Sequence, residues 1–287
     1  MAEISAKEVM ALRQKTGLSM MECKKALQET GGDAAAAEDF LRKKLKGKME
    51  TRTDRAAGEG RVVIAVAADK SGAVIVEIRA ETDFTAKNEN FGAMAEKIAQ
   101  LALKQPAGVV TPTDEMKNLL EDLKITTGEN LSIARVEKLE GSGATWGNYI
   151  HHDGKTAVLL HADASVSEAV ARDVCMHITA AMPRPVGVTA KDIPSDVVEK
   201  ERKIALEMAR ESGKPEEILV KMVDGKINKL ISDLALVEQP FVKEPEKKIR
   251  DIVGGDGKIH AFRRPGGGAR RDRRQLRGGH DRRLRLC

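Results

Sequence analysis

The residues best suited to chemistry or contact lie in one short stretch, Thr82-Asp83-Phe84-Thr85, where a β-branched run over 73–80 gives way to a helical pattern. A threonine or aspartate at such a boundary can accept from the free amides of a first helical turn, and a phenylalanine beside it stands where side chains project from the fold. Residue chemistry alone favours the plainer reading, in which Thr82 or Asp83 caps the helix and Phe84 packs underneath. The other reading, projection of Asp83 and Phe84 toward a partner, stays open, because Phe91 is better placed to serve as the core aromatic.

Other candidate chemistry is thin. His151, His152 and His161 offer imidazoles, but Cys175 stands alone and no zinc ligand set surrounds them. The chain has no G-x-x-x-x-G-K-[ST] loop and no Cys/His nucleophile constellation, and Gly254-Gly255-Asp256-Gly257 lacks the strand–helix context of a phosphate loop. An enzyme is the least favoured class.

The elements that would position these residues follow from pattern. Ser5 with Glu8 and Ser19 with Glu22 form two capping boxes, and Asp33 can cap a third helix running to about residue 46. Val9, Leu12, Cys23, Leu27, Phe40 and Leu41 give these three helices a small shared core. After a polar, glycine-containing stretch the period changes to that of strands at 61–69 and 73–80, joined by Lys70-Ser71-Gly72. Helices are expected over 86–104 and 114–123. Strands then recur at 131–139, 145–151 and 157–162, with a turn at Asp153-Gly154 and a helix over 167–182. The order strand, turn, strand, acidic turn, helix thus occurs twice, a weak internal repeat. Segregated strands and helices predict an α+β fold.

Two further helices, 194–212 and 215–236, flank Gly213-Lys214-Pro215 and read as an antiparallel hairpin, with Ile204, Leu206 and Met208 facing Ile218, Leu219, Met222 and Ile227. The expected organisation is a helical module over 1–46, a linker over 47–60, and a core N-subdomain over 61–140. A C-subdomain follows, made of 141–188 and 237–262, with the hairpin inserted at 189–236 and a basic, disordered tail over 263–287.

Composition narrows the class. The net charge of +5 suggests nucleic acid, but the last 25 residues hold ten Arg and two Asp, which leaves 39 basic and 42 acidic residues over 1–262. The body is mildly acidic. Cys23, Cys175 and Cys287 are far apart and odd in number, which fits a reducing compartment. The N-terminus lacks a basic and apolar leader, and the longest apolar run, 62–68, is too short to cross a bilayer. A cytoplasmic location without membrane association is expected.

The segment Thr82-Asp83-Phe84-Thr85-Ala86-Lys87-Asn88-Glu89 resembles the T-D-F-V-A-[KR]-N-E signature of the elongation factor Ts family. Leu12-Arg13-Gln14-Lys15-Thr16-Gly17, followed by Met20 to Leu27, is similar to that family's opening block. Gly128-Glu129-Asn130, Tyr149-Ile150-His151, Ser212-Gly213-Lys214-Pro215 and Gln239-Pro240-Phe241-Val242 match in family order, so the resemblance spans about residues 1–262. It implies a UBA-like N-terminal module and a partner, the GTPase elongation factor Tu, whose GDP release is promoted without a cofactor or metal of the factor's own. The matched Asp83 and Phe84 would press beside the nucleotide and disturb its Mg²⁺, with Thr82 and Thr85 completing the tip. Thr85 departs from the family's usual Val. Arg13, Met20, Met21, Lys24 and His151 would make further partner contacts, and the hairpin is a candidate for homodimerisation.

Past Phe262 the sequence turns abruptly to Arg and Gly. It reads either as an RNA-binding arm, the alternative function for the chain, or as a frameshifted end that replaces a C-terminal contact module. The abruptness favours the frameshift, so RNA is not an expected partner.

Overall fold

The computed structural model describes residues 4–50, 55–210, 215–254 and 257–265. By backbone proximity the chain divides into two units, Met1–Val63 with Val76–Val136, and Ile64–Ile75 with Glu137–Cys287. The architecture is α+β, as the segregation of strand and helix patterns predicts.

Three helices open the first unit: α1 (Ala6–Thr16), α2 (Met20–Glu29) and α3 (Ala34–Glu50). Their starts are local chemistry. Ser5 accepts from Glu8 N–H while Glu8 Oε2 accepts from Ser5 N–H at 2.8 Å, and Asp33 Oδ1 accepts from the amides of Ala35 and Ala36. Ser19 caps α2 through its hydroxyl, which also donates to Glu22. The shared core is Val9, Leu12, Leu18, Cys23, Ala26, Leu27, Ala37, Leu41 and Leu45. Phe40, expected inside, lies at its margin; Ala37, one turn before Leu41, takes the inward position. Helix α3 runs to Glu50, into the stretch read as linker.

Strands β1 (Glu59–Val66) and β2 (Gly72–Ala80) precede α4 (Asp83–Lys87) and α5 (Glu89–Leu103). After β3 (Gly108–Val109) come α6 (Asp114–Thr127) and β4 (Ser132–Glu140), and the first sheet has the order β1-β2-β4-β3. Interior position explains the composition of β2, where Ala73, Val74, Ile75, Val76, Ile78 and Ala80 are all fully buried. The helix expected over 86–104 is broken at Asn88, which leaves the helical backbone and caps α5 with its own side chain. Phe91 is completely buried, the core aromatic its position predicts.

The second unit holds β5 (Thr145–Ile150), β6 (Ala157–Ala162) and α7 (Glu168–Ala180), then α8 (Ser195–Arg210), α9 (Glu216–Leu234), α10 (Ile249–Val253) and β7 (Ile259–Arg263). Its sheet is antiparallel, β5-β6-β7, with Trp146 opposite His161 and Leu160 opposite Phe262. In both sheets the second strand of a hairpin is the buried interior one and leads into a helix capped by a hydroxyl residue, Thr82 in one case and Ser167 in the other. That is the physical content of the internal repeat. Arg263, read as the first tail residue, closes β7 opposite Leu159; the rest of the tail beyond residue 265 lies outside the described residues.

The hairpin of α8 and α9 is present, and its seam keeps Leu206, Leu219 and Ile227 of the expected residues but not the other four. Ala205, Ala209, Leu219, Val223 and Ile227 are buried in it, while Ile204, Met208, Ile218 and Met222 are exposed. Two alanines one turn apart let the helix backbones approach, and Ile204 and Met208 beside that stripe turn outward. Gln239 explains its own segment: its Oε1 faces His177 Nε2 at 2.9 Å, and its amide donates to the carbonyls of Pro183 and Asp233. Val242 N–H approaches His177 Nδ1, so the ring carries its proton on Nε2 and donates it to Gln239.

Candidate functional site

Thr82 is the N-cap of α4, with its hydroxyl accepting from Thr85 N–H at 3.3 Å. The capping reading is therefore right for Thr82, but its companion is not: Phe84 does not pack underneath. The residue is 83% exposed. Exposing a phenylalanine forgoes about 1.5–3 kcal/mol of burial.

The residues on either side of Phe84 are fixed. Thr85 and Ala86 are buried, and Thr85 Oγ1 donates to Glu129 Oε1 at 2.7 Å. The same oxygen accepts from Thr82 Oγ1 at 2.6 Å, and Glu129 Oε2 accepts from Thr82 N–H at 3.1 Å. The strap is reciprocal, since Glu81 Oε1 accepts from Asn130 N–H at 2.6 Å. Asn130 also donates its side-chain amide to Arg55 O at 2.8 Å.

Glu129 reaches the tip because of the turn before it. Gly128 ends α6 in the left-handed region at φ 70° and returns an N–H to Lys124 O. Only glycine adopts that conformation without a Cβ penalty. Just upstream, Ile125 packs against the core of α1–α3, and Arg42 of α3 pairs with Asp122 of α6 at 2.5 Å. One helix therefore touches the N-terminal module near its end and supplies the brace of the tip immediately after it.

Asp83 pairs with Lys87 Nζ at 2.7 Å, one turn along. That hydrogen bond holds the Asp83 carboxyl below the usual aspartate range and raises Lys87. Among the N-terminal candidates, Arg13, Met20, Met21 and Lys24 are all exposed. Both methionines face outward, at 39% and 63% exposure, although only one of two consecutive helical residues has to. Met10, one turn before Arg13, is likewise half exposed and carries no sequence signal beyond its spacing.

His151 belongs to the second unit, just after β5. Its Nδ1 lies 3.1 Å from Tyr149 OH, and its ring packs on His152 at 4.1 Å. Among the described residues no cluster of His, Cys, Asp or Glu side chains is arranged to hold a metal ion. No described helix is long and apolar enough to cross a membrane.

Sequence reasoning missed one residue of this arrangement. Glu129 belongs to a recognised motif, but its partner Thr82 is 47 residues away and no periodicity links them.

A family model described as Elongation factor TS matches residues 81–266. The chain is 40% identical over 268 residues to elongation factor Ts of Thioalkalivibrio sulfidiphilus, covering 90% of each chain. It is 38% identical to that of Thiobacillus denitrificans, covering 91% of each, and 40% identical to that of Alkalilimnicola ehrlichii, covering 88% of each. These likenesses define the class: a translation elongation factor. Within that class the chain belongs to the elongation factor Ts family.

Proposed function

We propose that the chain is a guanine-nucleotide exchange factor that binds elongation factor Tu and speeds release of its GDP, with no covalent chemistry or cofactor of its own. The observation that carries this reading is Phe84, a large apolar side chain held out in solvent on a braced cap. Family membership supplies the partner. In this reading Phe84 is the wedge and Asp83 the charge brought near the partner's Mg²⁺, with Thr82 and Thr85 holding both in place.

The physics of such a factor is simple. Mg²⁺ demands near-octahedral geometry, so a small displacement of its ligands costs the nucleotide its bridge to the protein. A factor that prefers the nucleotide-free GTPase must weaken GDP by the same factor as GDP weakens it. Phe84 is suited to that preference because its burial is deferred until the partner is present. Exposed Arg13, Met20, Met21 and Lys24 are proposed as a second contact, and His151 as a third. The outward Ile204, Met208, Ile218 and Met222 of the hairpin are proposed as the face for a second copy of the chain, which sedimentation tests. Stopped-flow release of labelled GDP from elongation factor Tu tests the main reading, with Phe84→Ala and Asp83→Ala as the informative variants.

A further inference from the structure

We infer that Glu129 is the positioning residue of the exchange tip, fixing the direction in which Phe84 leaves α4; this rests on the reading of Phe84 as the wedge. Helix α4 has five residues, too few to hold a conformation by its own hydrogen bonds. Its outward side offers no anchor, since Phe84 is in solvent and the Asp83–Lys87 pair lies within the same turn. The anchor is on the inward side, where one carboxylate accepts from Thr82 N–H, Thr82 Oγ1 and Thr85 Oγ1.

The order of donation matters. Thr82 gives its hydroxyl proton to Glu129, which leaves its oxygen lone pairs aimed at Thr85 N–H, the bond that starts the helix. Without that acceptor the hydroxyl rotates freely and the cap loosens. Thr85, where the family signature has Val, adds a second hydroxyl to the same oxygen, so the departure is absorbed by Glu129. A valine there would leave Glu129 with Thr82 alone. The position of the carboxylate is set in turn by Gly128 and by the tie of Glu81 to Asn130 N–H. Glu129 touches neither solvent-facing tip residue, so it acts through the cap.

The test uses the full chain and the GDP complex of elongation factor Tu, comparing wild type, Phe84→Ala, Glu129→Ala, Glu129→Gln and the Phe84→Ala/Glu129→Ala pair. Glu129→Ala is expected to lower the maximal release rate at saturating factor roughly tenfold, the scale of one lost charge-assisted hydrogen bond. Adding it to Phe84→Ala is expected to cost nothing more, because a misdirected tip without its wedge has nothing left to lose. A purely structural role would add its loss in both backgrounds, and that result overturns the inference. Glu129→Ala releasing GDP as fast as wild type also overturns it, and with Phe84→Ala slow it leaves the wedge itself standing. Phe84→Ala as fast as wild type sinks the wedge and this inference together. Where Glu129→Ala does not give a native circular dichroism spectrum, the isosteric Glu129→Gln decides. Its carbonyl oxygen still accepts from both hydroxyls, but an NH2 donor replaces the oxygen that accepts from Thr82 N–H, so a loss of roughly threefold is expected, and no loss overturns the assignment.

Discussion

Asp83 and Lys87 pair at 2.7 Å across the single turn of α4, so the acidic residue of the tip is ionised and internally partnered before any other protein arrives. Following the Asp83 carboxyl carbon by NMR, the account expects a midpoint below the usual aspartate range, rising in Lys87→Met. With Asp83 lowered and Lys87 raised, the pair's contribution is present between the two ordinary values. It is lost as pH falls through the folded value of Asp83 or rises through that of Lys87. A midpoint indifferent to Lys87 would break the pairing.

Gln239 is a buried junction, and its replacement by Leu strips partners from His177 and from two backbone carbonyls at once. The expected cost is about 1–3 kcal/mol of stability in urea unfolding. Burial lowers the folded pKa of His177, so the unfolded chain binds the extra proton. Stability is complete above the ordinary histidine value and falls as pH drops below it toward the folded one. Full stability in Gln239→Leu would show that the hydrogen bonds are dispensable.

Gly147 on β5 lies so close to α7 that a Cβ there would sit 2.8 Å from Ala171 O. Since the contact is backbone, the helix has to move. Gly147→Ala is expected to destabilise by about 1–3 kcal/mol. Trp146 next to it is the natural probe, being buried, stacked on His161 at 4.6 Å and donating to Lys70 O. An unshifted unfolding midpoint in Trp146 fluorescence would contradict the packing.

What the sequence made legible was what short-range chemistry determines. Ser5 with Glu8, Asp33 and Thr82 are caps because hydroxyl and carboxylate oxygens reach amides two or three residues on. Phe91 could be assigned to the core by spacing, and its burial left Phe84 free. The seam of α8 and α9 was legible at Leu206, Leu219 and Ile227 and misread at Ile204, Met208, Ile218 and Met222, because large apolar residues were weighted over Ala205 and Ala209, whose small size sets the approach. The break at Asn88 was hidden because a side-chain cap inside a helical pattern keeps the pattern intact. Glu129 could be quoted as part of a motif yet not given a role, because its meeting with Thr82 exists only once β2 and α6 are folded.

Removing residues 266–287 bears on the alternative reading. The exchange account expects GDP release by the shortened chain to match the full chain. RNA binding in a filter assay that is lost with these residues, by a full chain that does not speed GDP release, would favour an Arg-rich arm as the working part.

The most direct test of the central claim is the stopped-flow rate of labelled GDP release from elongation factor Tu, with the wild-type chain and with Asp83→Ala/Phe84→Ala. The account predicts strong acceleration by the wild type and a loss of between about fivefold and about a hundredfold in the double variant, the usual range of a coupling between two bound ligands. No acceleration by the wild type would contradict the exchange function, and full acceleration by the double variant would move the working site away from the Asp83–Phe84 tip.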